Sequence, residues 1–160
     1  MKIIKEIIPY IIIVLVVVLI RTFIITPVRV DGSSMKETLN NGDILLLYKL
    51  SDIKRHDIVV LNEEYDDEII IKRIIGLPGE TVKIKDSKIF INGEEIADSS
   101  AYGTTTDYDQ ITLGDDEYFI LGDNRIVSKD SRYFGPVTKK EIMGKVIFRI
   151  FPFNKIGTID

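Results

Sequence analysis

The amino-terminal segment constrains this chain more than any other stretch. From Ile7 to Ile20 every residue is apolar except Tyr10, with Pro9 near the start, and Phe23-Ile24-Ile25 carries the run past Arg21. Counted to Ile25 it is about 19 residues long, near the roughly 20 that a bilayer core requires. Arg21 lies close enough to one end for its guanidinium to reach the interface. A cleaved leader would have a shorter apolar core followed by an A-x-A-like site, whereas Thr26-Pro27-Val28-Arg29 follows here. The run therefore reads as an uncleaved transmembrane helix within residues 1–27, leaving 28–160 for one compact domain. Lys2 and Lys5 flank one side, Arg21 and Arg29 the other. By charge the two orientations nearly tie, with a cytoplasmic amino terminus slightly favoured.

Composition removes several chemistries. A net charge of -4 without a basic stripe argues against nucleic acid as a partner. Absence of cysteine excludes disulfides, thiolate catalysis and thiolate-ligated metals. The single histidine, His56, sits in the polar turn Ser51 to Asp57 and reads as a surface turn residue. The acidic stretch Asn62 to Glu68 lacks the spacing and turn glycine of a cation loop, so it reads as solvated charge. No metal or cofactor is expected.

Beyond Pro27 the pattern becomes short apolar runs broken by Gly, Asn and Asp. Strands are expected at Ile44–Tyr48, Ile58–Leu61, Ile69–Ile75, Val82–Ile84, Lys88–Ile91, Glu117–Leu121 and Lys145–Ile150. Asn92-Gly93 after the alternating Lys88–Ile91 is a two-residue hairpin signal. Seven or eight such strands indicate a mainly β fold, an antiparallel barrel-like domain after the helix. Thr138 followed by Glu141 predicts a helical turn over Thr138–Met143, and Asp98–Asp107 reads as a loop.

Three segments can carry chemistry. In Ile69 to Ile75, Lys72 shares one pleat face with Ile70 and Ile74, and Arg73 shares the other with Ile71 and Ile75. Burial on an apolar face would push the lysine down from about 10.4 toward a neutral amine, which is a general base. The competing reading is an ammonium reaching to solvent. Val30 to Leu39 contains a Gly-Ser-Ser turn able to expose a hydroxyl. Gly122 to Pro136 is a dense polar loop directly after a strong strand, where sites often sit.

In this order the segments resemble type I signal peptidases, membrane-anchored serine proteases of the S26 type that cut signal peptides from exported proteins. The resemblance rests on Arg21-Thr22-Phe23 with Thr26-Pro27, GSSMKETL (Gly32 to Leu39), NGDILLL (Asn41 to Leu47), IKRIIGLPGE (Ile71 to Glu80) and GDNRIVSKDSRYFGPV (Gly122 to Val137). The tail Ile142 to Val146 with Phe151-Pro152-Phe153 also fits. It implies Ser34 as nucleophile and Lys72 as general base. Ser128 matches the serine that aims the lysine, Asp130 and Arg132 a supporting charged pair, and Asp123, Asn124 and Arg125 the loop beside them. Val30, Met35, Leu39 and Ile71 match positions lining pockets for small side chains. It also implies a single-pass cell-membrane protein with an extracytoplasmic catalytic domain, acting as a monomer on signal peptides at the bilayer.

Physics adds one expectation. A carboxylate on Lys72 would raise its pKa, so Asp130 is expected to pair with Arg132. Two positions depart from the family pattern. Gly32 stands where some relatives carry an oxyanion-donating serine, leaving backbone, water or the Ser33 hydroxyl as second donor. Glu37 stands where the family commonly has proline, whose fixed φ near -65° would stiffen the turn. Two rivals remain: a self-cleaving repressor-type Ser-Lys peptidase, which would need a DNA-binding module in place of the anchor, and a tethered β module that only binds.

Overall fold

The structure, a computed structural model, describes residues 2–62 and 69–159. The acidic connector lies, apart from Asn62, outside the described residues. Helix α1, Lys2–Phe23, covers 22 residues, about 33 Å at 1.5 Å per residue. Its Glu6–Phe23 portion is long and apolar enough to cross a bilayer, and none of that portion is buried. The helix stops because its last carbonyls find other donors. Thr26 Oγ1 donates to the Arg21 carbonyl at 2.7 Å and Lys49 Nζ to that of Thr22 at 2.8 Å, side-chain caps for acceptors that a helix end leaves orphaned.

Strand β1, Ile25–Arg29, starts two residues later. Thr26 and Pro27 thus belong to the sheet and not to the anchor segment in which the sequence reading put them. Pro27 is tolerated because β1 is an edge strand, paired only with β2, Ile44–Tyr48, where a missing N–H can face outward. There follow β3 (Ile58–Asn62), β4 (Ile69–Gly76), β5 (Thr81–Lys85), β6 (Lys88–Ile91), β7 (Glu94–Ile96), β8 (Tyr108–Thr112), β9 (Glu117–Leu121), helix α2 (Ser131–Phe134), β10 (Val137–Thr138) and β11 (Ile142–Phe151). Among the described residues every pair of these strands is antiparallel, and eleven strands against two α-helices make the fold mainly β as expected.

The barrel-like domain resolves into two sheets. One runs β1-β2-β11-β3-β4-β9-β10, the other β7-β6-β5-β8. The small sheet is an excursion between β4 and β9, and β4 bends into it at a register shift between Ile74 and Gly76. Gly76 permits that bend, since a Cβ there would lie 2.6 Å from Val82 Cγ2 and 2.8 Å from Leu113 Cδ1. Asn92 and Gly93 close the β6–β7 hairpin with φ of 52° and 85°, the left-handed pair that a type I′ turn requires.

The expected helical turn at Thr138–Met143 does not form. Glu141 Oε2 accepts from Thr138 N at 2.6 Å and from Thr138 Oγ1 at 2.7 Å. Because the hydroxyl is spent on the carboxylate, these bonds close a tight turn and β11 begins at Ile142. The helix lies earlier, where the Asp130 carboxylate accepts from Arg132 N and caps α2. His56 is an exposed turn residue with φ 70°.

Candidate active site

Lys72 lies on β4 opposite Val59 of β3 and is only 4% exposed. Its Nζ donates to Ser34 Oγ at 3.0 Å. Ser34 itself is half-buried at the start of a tight turn, closed by Lys36 N to Ser33 O at 3.1 Å and Leu39 N to Met35 O at 2.7 Å. Strand and turn are 38 residues apart in sequence, and the sheet brings them together.

The loop after β9 fixes the turn from behind. Asn124 N donates to the Ser34 carbonyl at 2.9 Å and Asn124 Nδ2 to that of Ser33 at 3.2 Å. Gly122 allows this approach. A Cβ on it would fall 2.7 Å from Ser34 O and 2.2 Å from Ser128 Oγ, so Ser34, Gly122 and Ser128 occupy one tightly packed corner. Ser128 is 2% exposed and its hydroxyl has no hydrogen-bond partner among the described residues. The bond expected to aim Lys72 is therefore not made: Ser128 stands beside the serine turn without gripping the amine.

Buried ion pairs hold the loop. Asp130 pairs with Arg132, Oδ1 to Nε at 2.8 Å, and its Oδ2 accepts from Gly122 N at 3.0 Å, as expected of that carboxylate. Arg132 also donates to the Arg125 and Ser128 carbonyls. Arg125 reaches Gly122 O, Thr105 Oγ1 and the Asp98 carboxylate, which ties the Asp98–Asp107 loop to the site. The third pair has no counterpart among the sequence expectations. Arg73, 1% exposed, gives Asp123 two bonds of 2.9 and 2.8 Å, and Asp123 Oδ2 also accepts from Thr38 Oγ1 at 2.5 Å. The signal was present: an arginine within an apolar strand demands a carboxylate.

A cleft of about 590 Å³ opens at Ser34 and Lys72, walled by Arg29, Asp31 and Gly32 on one side and Ile69, Ile70 and Ile71 on the other. Of the expected pocket residues, Ile71 alone borders it. Val30, Met35 and Leu39, 3% exposed or less, pack with Leu45, Leu47 and Val60 in the core below. Met35 and Leu39, joined by an i to i+4 bond, present one face inward, which explains why the turn buries both. Among the described residues no group of three or more His, Asp or Glu is arranged to hold a metal.

A hydroxyl bonded to a buried amine, beside an open cleft and on a rigid loop, is equipped for acyl transfer. Comparison with known proteins agrees. The family model "Signal peptidase, peptidase S26" matches residues 3–151. Signal peptidase I of Bacillus amyloliquefaciens is 42% identical, the match covering 91% of this chain and 86% of that one. Signal peptidase I T of Bacillus subtilis strain 168 is 37% identical, over 89% and 82%. The crystal structure of a signal peptidase I from Enterococcus faecalis V583 superposes with a TM-score of 0.54 at 32% identity, covering 59% of this chain and 97% of that chain. The chain belongs to the signal peptidase S26 family, and it is a peptidase.

Proposed function

We propose that this chain is a signal peptidase I that removes amino-terminal signal peptides from exported preproteins, with Ser34 as nucleophile and a neutral Lys72 as general base. The observation that carries the reading is the 3.0 Å contact between Lys72 Nζ and Ser34 Oγ, with the lysine almost fully buried. An extended substrate segment lies in the cleft between the Asp31–Gly32 backbone and the start of β4. Ser34 Oγ attacks the scissile carbonyl carbon while Lys72 takes the hydroxyl proton. Lys72 then returns that proton to the leaving amine as the C–N bond breaks, giving an acyl-enzyme. Water, deprotonated by Lys72, hydrolyses the ester and frees Ser34. The Ser34 N–H, which makes no hydrogen bond among the described residues, serves as one oxyanion donor, and such a donor contributes roughly 3–4 kcal/mol to lowering the barrier. Asp130 and Arg132 support the loop.

In this reading α1 spans the cell membrane once with its amino terminus cytoplasmic, and the β domain works at the outer bilayer surface as a monomer. The test is cleavage of a model preprotein with an Ala-x-Ala cut site by wild type, Ser34→Ala and Lys72→Ala. Each variant should fold and lose at least a thousandfold in kcat. The wild-type rate should rise with pH as Lys72 loses its proton. Cleavage retained by either variant overturns the mechanism, and an inactive wild type would favour the binding module.

A further inference from the structure

The serine turn lacks the residue that would stiffen it. Glu37 sits at φ 84°, a left-handed conformation that costs a non-glycine residue energy and that proline, fixed near -65°, cannot adopt. Something else must hold the turn. Thr38, the next residue, is gripped at both ends. Its hydroxyl donates to Asp123, and its carbonyl accepts from Arg149 Nη2 at 2.5 Å. Arg149 is 9% exposed, and its Nε lies 3.2 Å from Asp43 Oδ2. That same carboxylate oxygen accepts from Asn40 N at 3.0 Å, so Arg149 and Asp43 bracket the exit of the turn.

The backbone of the clamp is built into the sheet. Arg149 pairs with Leu45 across β11 and β2, and its N–H and C=O exchange bonds with Gly157 at 2.8 and 3.2 Å. The planar guanidinium donates to the carbonyl from one nitrogen while another faces the carboxylate as a charge, an arrangement its rigid fork allows. On the other side, Asp123 connects Thr38 to Arg73, the neighbour of Lys72 in β4. A set of hydrogen bonds thus runs from Arg149 through Thr38, Asp123 and Arg73 to one residue from the lysine, with Asp43 joined to Arg149 by charge alone.

We infer that Arg149 is a positioning residue for the reaction, holding the serine turn through the Thr38 carbonyl and supplying the rigidity that residue 37 does not. The inference rests on Ser34 being the nucleophile. A turn free to drift changes the distance between Ser34 Oγ and Lys72 Nζ, and misplacement of about 1 Å at a reacting atom can cost on the order of a hundredfold. The cleft walls are left in place, so binding should not change.

The experiment measures kcat and KM of full-length Arg149→Gln and Arg149→Lys on the model preprotein, well below each variant's melting temperature. Arg149→Gln should lose about tenfold or more in kcat with KM within twofold of wild type. Arg149→Lys, which keeps the charge but not the fork, should fall between. If Arg149→Gln does not fold, the lysine variant against wild type carries the test. A purely structural arginine would lower the melting temperature and leave kcat per folded molecule unchanged, and that result overturns the inference, as does a rise in KM alone. Failure of the Ser34 assignment shows itself separately, as cleavage by Ser34→Ala.

Discussion

The two sheets use opposite kinds of charge. Around the serine turn the ion pairs are buried: Arg73–Asp123 and Arg132–Asp130 are exposed by 2% or less on either side. On the small sheet, Lys85–Asp107 and Lys88–Glu95 have side chains 50–57% exposed. Arg55–Glu80 lies between these extremes, at 23% and 17%, where β4 hands over to β5. Similar N···O distances thus occur in three different media. A buried pair pays for desolvation and returns a single fixed geometry, whereas an exposed pair is loosened by water and salt. The buried pairs surround the turn and loop where the Ser34 hydroxyl and the Lys72 amine lie 3.0 Å apart.

The sharpest way to break this comparison is at Asp123. Asp123→Ala leaves the Arg73 guanidinium buried without a carboxylate and takes away the Thr38 acceptor. The expected loss is about 3–5 kcal/mol of unfolding free energy, read from denaturant midpoints, together with cleavage activity. The double variant Arg73→Leu with Asp123→Leu should recover most of the stability, because an apolar pair of similar volume can replace a buried ion pair. It should not recover activity, since Thr38 Oγ1 still has no partner. Full recovery of both would mean that the pair is structural only.

Much of this site was legible in the sequence. Ser34, Lys72 and the 122–132 loop stand in ordered segments, and the apolar runs locate β2 to β6, β9 and β11, whereas β1, continuous with the apolar helix, and the two-residue β10 give no separate signal. What was missed has physical causes. Strands β7 and β8 carry Glu94, Glu95, Asp109 and Gln110 and bury little, so no alternation announces them. At Thr138 and Glu141 the residues of a capping box were present, but the hydroxyl went to the carboxylate instead of to a helical N–H. Thr38 and Arg149 meet across 111 residues, and local pattern carries no information about such a contact. Val30, Met35 and Leu39 were matched to pocket walls because apolar residues near a nucleophile look alike from sequence, whether they line a cleft or support it.

An intermediate effect is expected at Glu80. Burial alone would raise its carboxyl, but bonds from Arg55 and from Leu77 N–H outweigh that and hold it below the usual carboxylate range. A carboxyl lowered in the folded state contributes stability above its unfolded value of about 4.3, and that contribution is lost as pH falls through the folded value. Wild type should therefore exceed Glu80→Gln by on the order of 1 kcal/mol at pH 7, with the gap closing as pH drops below about 4. Urea melts of both proteins across that range would check it, and a gap independent of pH would assign the effect to packing.

The smallest effect belongs to the exposed pairs, and it decides whether exposure or mere pairing governs the outcome. The hydrogen bond and nearby charge of Asp107 raise Lys85, and those of Glu95 raise Lys88, so both ammonium groups do feel their partners. That attraction is spent on holding two long side chains in water, where salt screens it. Lys85→Gln and Lys88→Gln should leave the unfolding midpoint and kcat unchanged within error, in low salt and in 0.5 M NaCl alike. The β5–β6 and β6–β7 ladders, with Val82, Ile84, Ile89 and Ile91 packed against Phe119 and Leu121, hold the small sheet without them. A salt-dependent loss in either variant would show that an exposed pair can do here what only the buried ones are expected to do.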